Sequence, residues 1–180
     1  MPLSRGLRKL SLTAHIASSV GWLGSVTVFL ALGVIGLISD DPQTVRAVFT
    51  VMEPAGWTVL VPLAALSLVT GIIVSLGSNW GLFRHYWVVF KLVINLTGLA
   101  VLLLYMQTLT GMAAAVATPT FAVDELGAER GSPLLHAALA EVLLLAATVL
   151  SVYKPRGLTS YGQRKKRQAA VPATSREKVA

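Results

Sequence analysis

Apolar residues dominate four long runs of this chain, and polar or charged residues are concentrated in the segments between them. A helix of about 20 apolar residues crosses a bilayer core about 30 Å thick. The runs therefore predict four transmembrane helices, at about residues 10–38, 57–76, 85–109 and 134–153. The first run is longer than the bilayer requires, so we expect that helix to tilt or to project into water.

Proline, glycine and serine mark the ends of the predicted helices. Pro42 ends the first, because proline lacks a backbone donor and clashes with the preceding turn. Gly77-Ser78-Asn79 ends the second. Ser132 caps the fourth, and Pro133 occupies its first helical position. The segments between the helices are then an acidic loop, a short turn and a longer acidic loop.

Composition supports a membrane protein. The chain has 180 residues, of which 54% are hydrophobic and 13% are charged, whereas a soluble domain carries roughly 25% charged residues. The predicted fold class is an all-α polytopic membrane protein, with a four-helix transmembrane bundle at residues 10–153. A basic arm at residues 1–9 precedes the bundle, and a basic tail at residues 154–180 follows it. There is no cysteine, which excludes disulfides and thiol catalysis.

Lysine and arginine are distributed unevenly between the two sides of the predicted membrane. One side holds Arg5, Arg8, Lys9, Arg84, Lys154, Arg156 and the run Arg164, Lys165, Lys166 and Arg167. The two acidic loops hold only Arg46 and Arg130. The positive-inside rule then predicts a multi-pass protein of the plasma (inner) membrane with both termini in the cytoplasm.

The tail lacks apolar periodicity and is rich in Lys, Arg, Ser and Ala, so we expect it to be disordered. Its basic run lies close enough to the bilayer to bind anionic lipid headgroups, at about 1 kcal/mol per residue. Because the basic residues flank membrane spans, the positive net charge of +7 does not indicate nucleic-acid binding.

Ionisable residues occur inside the apolar runs, where each costs about 2.5–3.5 kcal/mol to insert. They are His15 in the first run, Lys91 in the third, and His136 and Glu141 in the fourth. At 1.5 Å per residue, His15 and Lys91 both lie about 8–9 Å from the cytoplasmic ends of their helices. Such residues are rare in membrane spans without a function.

Helical spacing places aromatic and amide groups beside these residues. His15 and Trp22 are seven residues apart and share a face, and Trp87, Lys91 and Asn95 follow the i, i+4 spacing of one face. The shared depth predicts one pocket in the cytoplasmic half, walled by Trp22 and Trp87. Two basic groups at one level are poor partners, so this pocket favours an acidic ligand or a tetrapyrrole.

Each polar residue also has a purely structural interpretation. Lys91 can extend its long side chain to the headgroups. His15 can be a neutral histidine bonded to a carbonyl or a serine. Glu141 can hold helices together as a protonated carboxyl group. His136 lies near the outer interface, where water can solvate it.

Several short motifs follow one another along the chain: His15 with Trp22 and Gly24, Pro62 with Thr70-Gly71, Trp87-Val88-Val89-Phe90-Lys91, and Lys154-Pro155. Over residues 10–155 this pattern resembles the HemJ-type protoporphyrinogen oxidases and the CopD-like copper-resistance membrane domain. It is most similar to uncharacterised four-span proteins of actinobacterial type. The resemblance implies that His15 and Lys91 are the functional pair and that haem is bound, with His15 as its axial ligand.

The chain departs from the HemJ pattern in three places. Residues 26–32 lack the Leu-Pro-Arg stretch ending in Tyr-His, and Tyr105-Met106 stands where a second histidine is found. Glu141 is a loose counterpart of an Asn-Glu pair. The resemblance therefore implies a relative that keeps the fold and pocket and performs a different task.

Three functions remain open. The first is a redox or tetrapyrrole-linked protein in which His15 ligates iron or relays protons and Lys91 holds an acidic group. The second is copper handling by Met52, Met106, Met112 and His136, since thioethers select Cu(I). The third is a non-enzymatic structural subunit. No phosphate-binding glycine loop, zinc-protease motif or nucleophile elbow is present, so whether the chain is an enzyme and whether it oligomerises stay open.

Overall fold

The structure is a computed structural model that describes residues 4–78 and 80–170. Six α-helices are present in this part of the chain: α1 Arg5–Ile38, α2 Pro42–Ala55, α3 Val61–Leu76, α4 Tyr86–Val116, α5 Ser132–Tyr153 and α6 Ser160–Ala170. A π-helical turn, Gly56–Leu60, joins α2 to α3, and a 3-10 segment, Val123–Gly131, precedes α5. The predicted all-α class is confirmed.

Four helical rods are long and apolar enough to cross a membrane: α1, the continuous rod Pro42–Leu76, α4, and Val123–Tyr153. Helix α1 packs against α3 and α5, and α4 packs against the same two helices, so the rods form a closed four-helix bundle. We call the end that holds residues 77–85 and the end of α5 the tail end. The opposite end, which holds α2 and the 3-10 segment, is the loop end.

Helix α2 occupies most of the segment that the sequence predicted to be an acidic loop. The Asp41 carboxylate caps this helix by accepting from the backbone N–H groups of Gln43 (3.2 Å) and Thr44 (3.0 Å). A further hydrogen bond from the Thr44 hydroxyl, together with these two, lowers the pKa of Asp41. Pro42 is therefore the first residue of a new helix, where its missing donor has no cost.

The other loop-end boundaries also differ from the prediction. Helix α4 continues to Val116, seven residues beyond the predicted end. Its last two turns bury Met112 and Val116 in the core, and α2 packs against α4. Apolar packing outside the predicted span thus extends the helix.

The expectation of a disordered tail is wrong for residues 160–170, which form α6. Thr159 anchors this helix to the α3–α4 turn: its hydroxyl donates to the Phe83 carbonyl (2.6 Å) and its backbone N–H donates to the Arg84 carbonyl (3.1 Å). The same hydroxyl accepts from the Gly162 N–H at 3.1 Å and caps α6. The rest of the predicted tail, residues 171–180, and the predicted turn residue Asn79 lie outside the described residues.

Candidate functional site

His15 links α1 to α3 near the tail end. Its Nδ1 lies 3.1 Å from the Ser67 carbonyl oxygen and 3.3 Å from the Thr70 hydroxyl. Because a carbonyl can only accept, Nδ1 carries the hydrogen and Nε2 keeps its lone pair. The imidazole lies against Gly71, where an added Cβ would be 3.0 Å from Cε1. The side chain is half-buried and held in one orientation.

A hydrogen-bond network extends from this point across three helices. The Ser67 hydroxyl lies 2.8 Å from that of Ser19 and donates to Asn95 Oδ1 at 3.4 Å. Asn95 Nδ2 in turn donates to the Lys91 carbonyl at 2.9 Å. The structure thus joins His15 to Asn95 and to the Lys91 backbone carbonyl, whereas the sequence predicted that the side chains of these three residues share one pocket. Ser67, only 2% exposed, was not singled out from the sequence, although a serine within an apolar run is the signal that marks it.

The Lys91 ammonium group is half-buried and lies within electrostatic reach of His15 and Lys154. No described residue forms an ion pair with it. Trp87, one turn earlier, is 8% exposed and belongs to an aromatic cluster with Trp80 (5.6 Å between ring centroids, edge-to-face) and His85. Its indole N–H is buried without a hydrogen-bond partner among the described residues.

A cavity of about 220 Å³ lies between α4 and α5, with α1 as its floor. Its walls are almost entirely apolar. Its lining residues with polar side-chain atoms are Trp22, Thr97, Tyr105 and His136, and it is also bordered by Met52 and Met106. Of the five residues predicted to share one pocket, only Trp22 lines this cavity; His15, Lys91, Trp87 and Asn95 do not.

Trp22 lies between the hydrogen-bond network and the cavity. Its side chain is 3% exposed. Its ring contacts α4 at Gly98, where an added Cβ would be 3.4 Å from Cη2. The indole therefore packs inward, as its position in the first run predicted, and forms part of the cavity wall.

His136 stacks on Tyr105 across the α4–α5 interface, with ring centroids 4.1 Å apart and an interplanar angle of 19°. Its Nδ1 lies 2.9 Å from the Ser132 carbonyl oxygen and 3.3 Å from the Ser132 hydroxyl. His136 is thus half-buried in a defined contact, where the sequence favoured a solvated side chain. The Tyr105 hydroxyl is buried without a hydrogen-bond partner among the described residues.

Glu141 joins α5 to α1 through a 3.0 Å hydrogen bond between Oε1 and the Thr27 hydroxyl. Its second oxygen, Oε2, is buried without a partner in the described part of the chain. Glu141 does not line the cavity. This geometry agrees with the interpretation of Glu141 as a residue that holds helices together.

The fold defines a class of protein, an all-α bundle with four helices long and apolar enough to cross a membrane. No family model, curated protein or solved structure matches this chain. The resemblance to HemJ-type and CopD-like proteins therefore stays a prediction. Residues 4–78 and 80–170 contain no group of three or more His, Asp or Glu side chains that could hold a metal ion.

Proposed function

We propose that this protein is a multi-pass membrane protein that binds a lipid-soluble ligand with a small aromatic head in the crevice between α4 and α5. The observation that carries this proposal is the cavity of about 220 Å³ with the stacked Tyr105 and His136 on its wall. Ligand sites are typically apolar with a few placed polar groups that set orientation. This cavity has that composition.

The volume of the cavity limits the size of the ligand that it can hold. A cavity of about 150 Å³ holds a benzene molecule, so this one holds a single substituted ring or two fused rings. A tetrapyrrole is too large for it. The rim includes Val101, Leu139 and Leu143, which are 41–57% exposed on helices that contact lipid once the bundle is in a membrane. The ligand therefore enters from the bilayer, and an apolar tail can leave between α4 and α5.

Binding of duroquinone, a small ring that quenches tryptophan emission, tests the cavity. In nanodiscs we expect saturable quenching from Trp22, in addition to the linear quenching of the exposed tryptophans. Ala140→Phe places a ring in the cavity, so the saturable component should disappear while the helical content is retained. Ala140 lines the cavity, which leaves room for the added ring.

Ala146→Phe is the matched control, because Ala146 lies on the same helix, is exposed and does not line the cavity. It should bind duroquinone as the unchanged protein does. Trp22→Phe should remove the saturable signal and so assign it to the cavity. Saturable quenching that survives in Ala140→Phe would contradict the proposal.

Haem at His15 is a second candidate. The Nδ1 hydrogen bond to the Ser67 carbonyl is the support that metal-bound histidines usually have, and it leaves Nε2 for iron. Lys91 would face the acidic groups of the haem, and the haem would supply redox chemistry. The cavity does not extend to this histidine. A Soret band in the purified protein is the measurement that would favour this candidate.

Copper is a candidate for the same cavity, since Met52, Met106 and His136 all border it. Thioethers with one imidazole form a donor set that suits Cu(I). Stoichiometric copper in the purified protein would favour this function. Absence of both ring binding and copper would leave the structural subunit, for which the contact between Thr27 and Glu141 is the supporting feature.

We also propose that the tail end faces the cytoplasm in a plasma (inner) membrane. The support is the concentration of Lys and Arg in the basic arm at residues 1–9, at Arg84 and in the tail. The chain has no cysteine, so Ser160→Cys and Ala122→Cys introduce single, exposed reporters at opposite ends of the bundle. An impermeant thiol reagent applied to intact cells should label Ala122→Cys and spare Ser160→Cys. The reverse labelling would overturn the orientation.

In this orientation α6 holds its basic residues at headgroup level. Arg164, Lys165, Lys166 and Arg167 are exposed on a helix anchored to the α3–α4 turn. Anionic lipids are therefore the proposed partners of this end, at about 1 kcal/mol for each basic residue.

A further inference from the structure

We propose that the ligand of the α4–α5 cavity has a para-hydroquinone head, one hydroxyl of which donates to Nε2 of His136. This inference rests on the proposed function and names its ligand class. It follows from the hydrogen-bonding capacity of two of the polar side chains that line the cavity, His136 and Trp22.

Ser132 fixes the tautomer of His136. The Ser132 carbonyl can only accept, and it lies 2.9 Å from Nδ1, so Nδ1 of the neutral imidazole carries the hydrogen. Nε2 is then an acceptor, and it forms no hydrogen bond with a described residue. The stack on Tyr105 fixes the plane of the ring. The cavity therefore offers a fixed acceptor that requires an O–H or N–H group from its ligand.

Trp22 supplies a hydrogen-bond donor on another wall of the cavity. The indole of Trp22 lines the cavity, and no described residue accepts a hydrogen bond from its N–H. This N–H is therefore available to donate to a ligand that supplies an acceptor. A suitable ligand therefore accepts a hydrogen bond at one end and donates one at the other.

The distance between His136 and Trp22 limits the length of the ligand. Gly33 of α1 lies against Leu134 of α5, which runs antiparallel to α1. His136 is therefore level with about residue 31 of α1, nine residues from Trp22. At 1.5 Å per residue the two are about 13 Å apart along the bundle. A six-membered ring with para hydroxyls and a hydrogen bond at each end spans about 11 Å. A single ring therefore comes within reach of both groups, since the Trp22 ring contacts α4 at Gly98 and His136 stacks on Tyr105, seven residues or about 10 Å further along α4.

The acceptor at His136 Nε2 discriminates between the two oxidation states of one ring. A hydroquinone hydroxyl can donate to His136 Nε2, whereas a quinone carbonyl is a second acceptor and leaves Nε2 without a partner. Both states can accept from Trp22. The reduced form should therefore bind more tightly, by about five- to tenfold for one hydrogen bond gained.

Equilibrium dialysis in nanodiscs under argon, with duroquinol and duroquinone as ligands, tests this selectivity. We expect duroquinol to bind five- to tenfold more tightly to the unchanged protein. His136→Phe keeps an aromatic ring on Tyr105 and removes the acceptor, so the two forms should bind equally. His85→Phe is the matched control, because this histidine packs on Trp80 outside the cavity. It should keep the preference for duroquinol.

A ligand-side change provides an independent test if His136→Phe does not fold. The dimethyl ether of duroquinol has no hydrogen to donate, so it should bind the unchanged protein no more tightly than duroquinone does. Equal or stronger binding of duroquinone than duroquinol would overturn the hydroquinone inference and leave ring binding intact. A preference that survives in His136→Phe would also overturn it. Failure of both rings to bind would overturn the proposed function itself.

Discussion

Replacing Gly33 with leucine is expected to destabilise the bundle by about 3 kcal/mol, the upper part of the range for overpacking a well-packed interface. Gly33 is buried where α1 crosses α5. A Cβ there would be 2.9 Å from the backbone nitrogen of Leu134 and 3.0 Å from its Cα. These are backbone atoms, so no side-chain rotation relieves the clash and the two helices must separate. Small residues commonly allow such close helix approach in membranes.

Unfolding in detergent, followed by far-ultraviolet circular dichroism against increasing sodium dodecyl sulfate, measures the effect. Gly24→Leu is the matched control on the same helix, because nothing lies within 4 Å of a Cβ at Gly24 and that residue is exposed. We expect Gly24→Leu to unfold as the unchanged protein does. Equal unfolding of the two variants would mean that α1 and α5 do not pack at Gly33.

The second large effect is expected at Gly162, where replacement by valine should release α6 from the bundle. A Cβ at this position would overlap the Arg84 carbonyl oxygen. The same carbonyl accepts the backbone hydrogen bond of Thr159, so the substitution acts where the tail is attached. Loss of this attachment should increase the rate of tryptic cleavage within residues 164–167 about tenfold, since about 1.4 kcal/mol of local stability corresponds to a factor of 10.

The bundle itself should be unchanged in Gly162→Val, as judged by its unfolding in sodium dodecyl sulfate. Gly157→Ala is the control in the same tail, because its added Cβ would be 3.5 Å from Tyr86, an ordinary contact distance. It should be cleaved at the rate of the unchanged protein. A cleavage rate in Gly162→Val no higher than in this control would show that α6 does not depend on its contact with Arg84.

The sequence could predict only some of the residues that lie together, because their contacts depend on the tertiary structure. Helical spacing correctly placed Asn95 one turn after Lys91 and turned Trp22 inward. It could not show that Ser67 of α3 lies between His15 and Asn95, because the rotation of one helix about its axis depends on its neighbours. For the same reason the sequence placed Trp22 and Trp87 at one pocket, whereas Trp87 packs with Trp80 and His85.

The His136 site was the least accessible to sequence analysis. A histidine near the start of a helix is usually solvated. Helical spacing shows only which residues of α5 share a face with His136. The aromatic ring on which it stacks is Tyr105 of α4, 31 positions earlier in the chain. The sequence analysis named Tyr105 only as the residue that stands where the HemJ pattern has a second histidine, and nothing in the pattern paired it with a residue of the fourth run.

The sequence by itself determined the number and the place of the four membrane-length helices. It could do so because hydrocarbon requires continuous apolar surface over a fixed thickness, which is a property of each segment alone. It also determined the distribution of charge between the two ends. Neither property depends on how the helices pack against one another.

Only the tertiary structure decided which segments outside those spans are helical and where a ligand can be held. Helix α2 depends on the Asp41 cap and on its packing against α4, and α6 depends on Thr159 and the carbonyls of Phe83 and Arg84. The cavity is lined mainly by α1, α4 and α5, which only the packing of the whole bundle brings together. Gaps between helices are set by side-chain contacts between distant segments, and the periodicity of one helix carries no information about them.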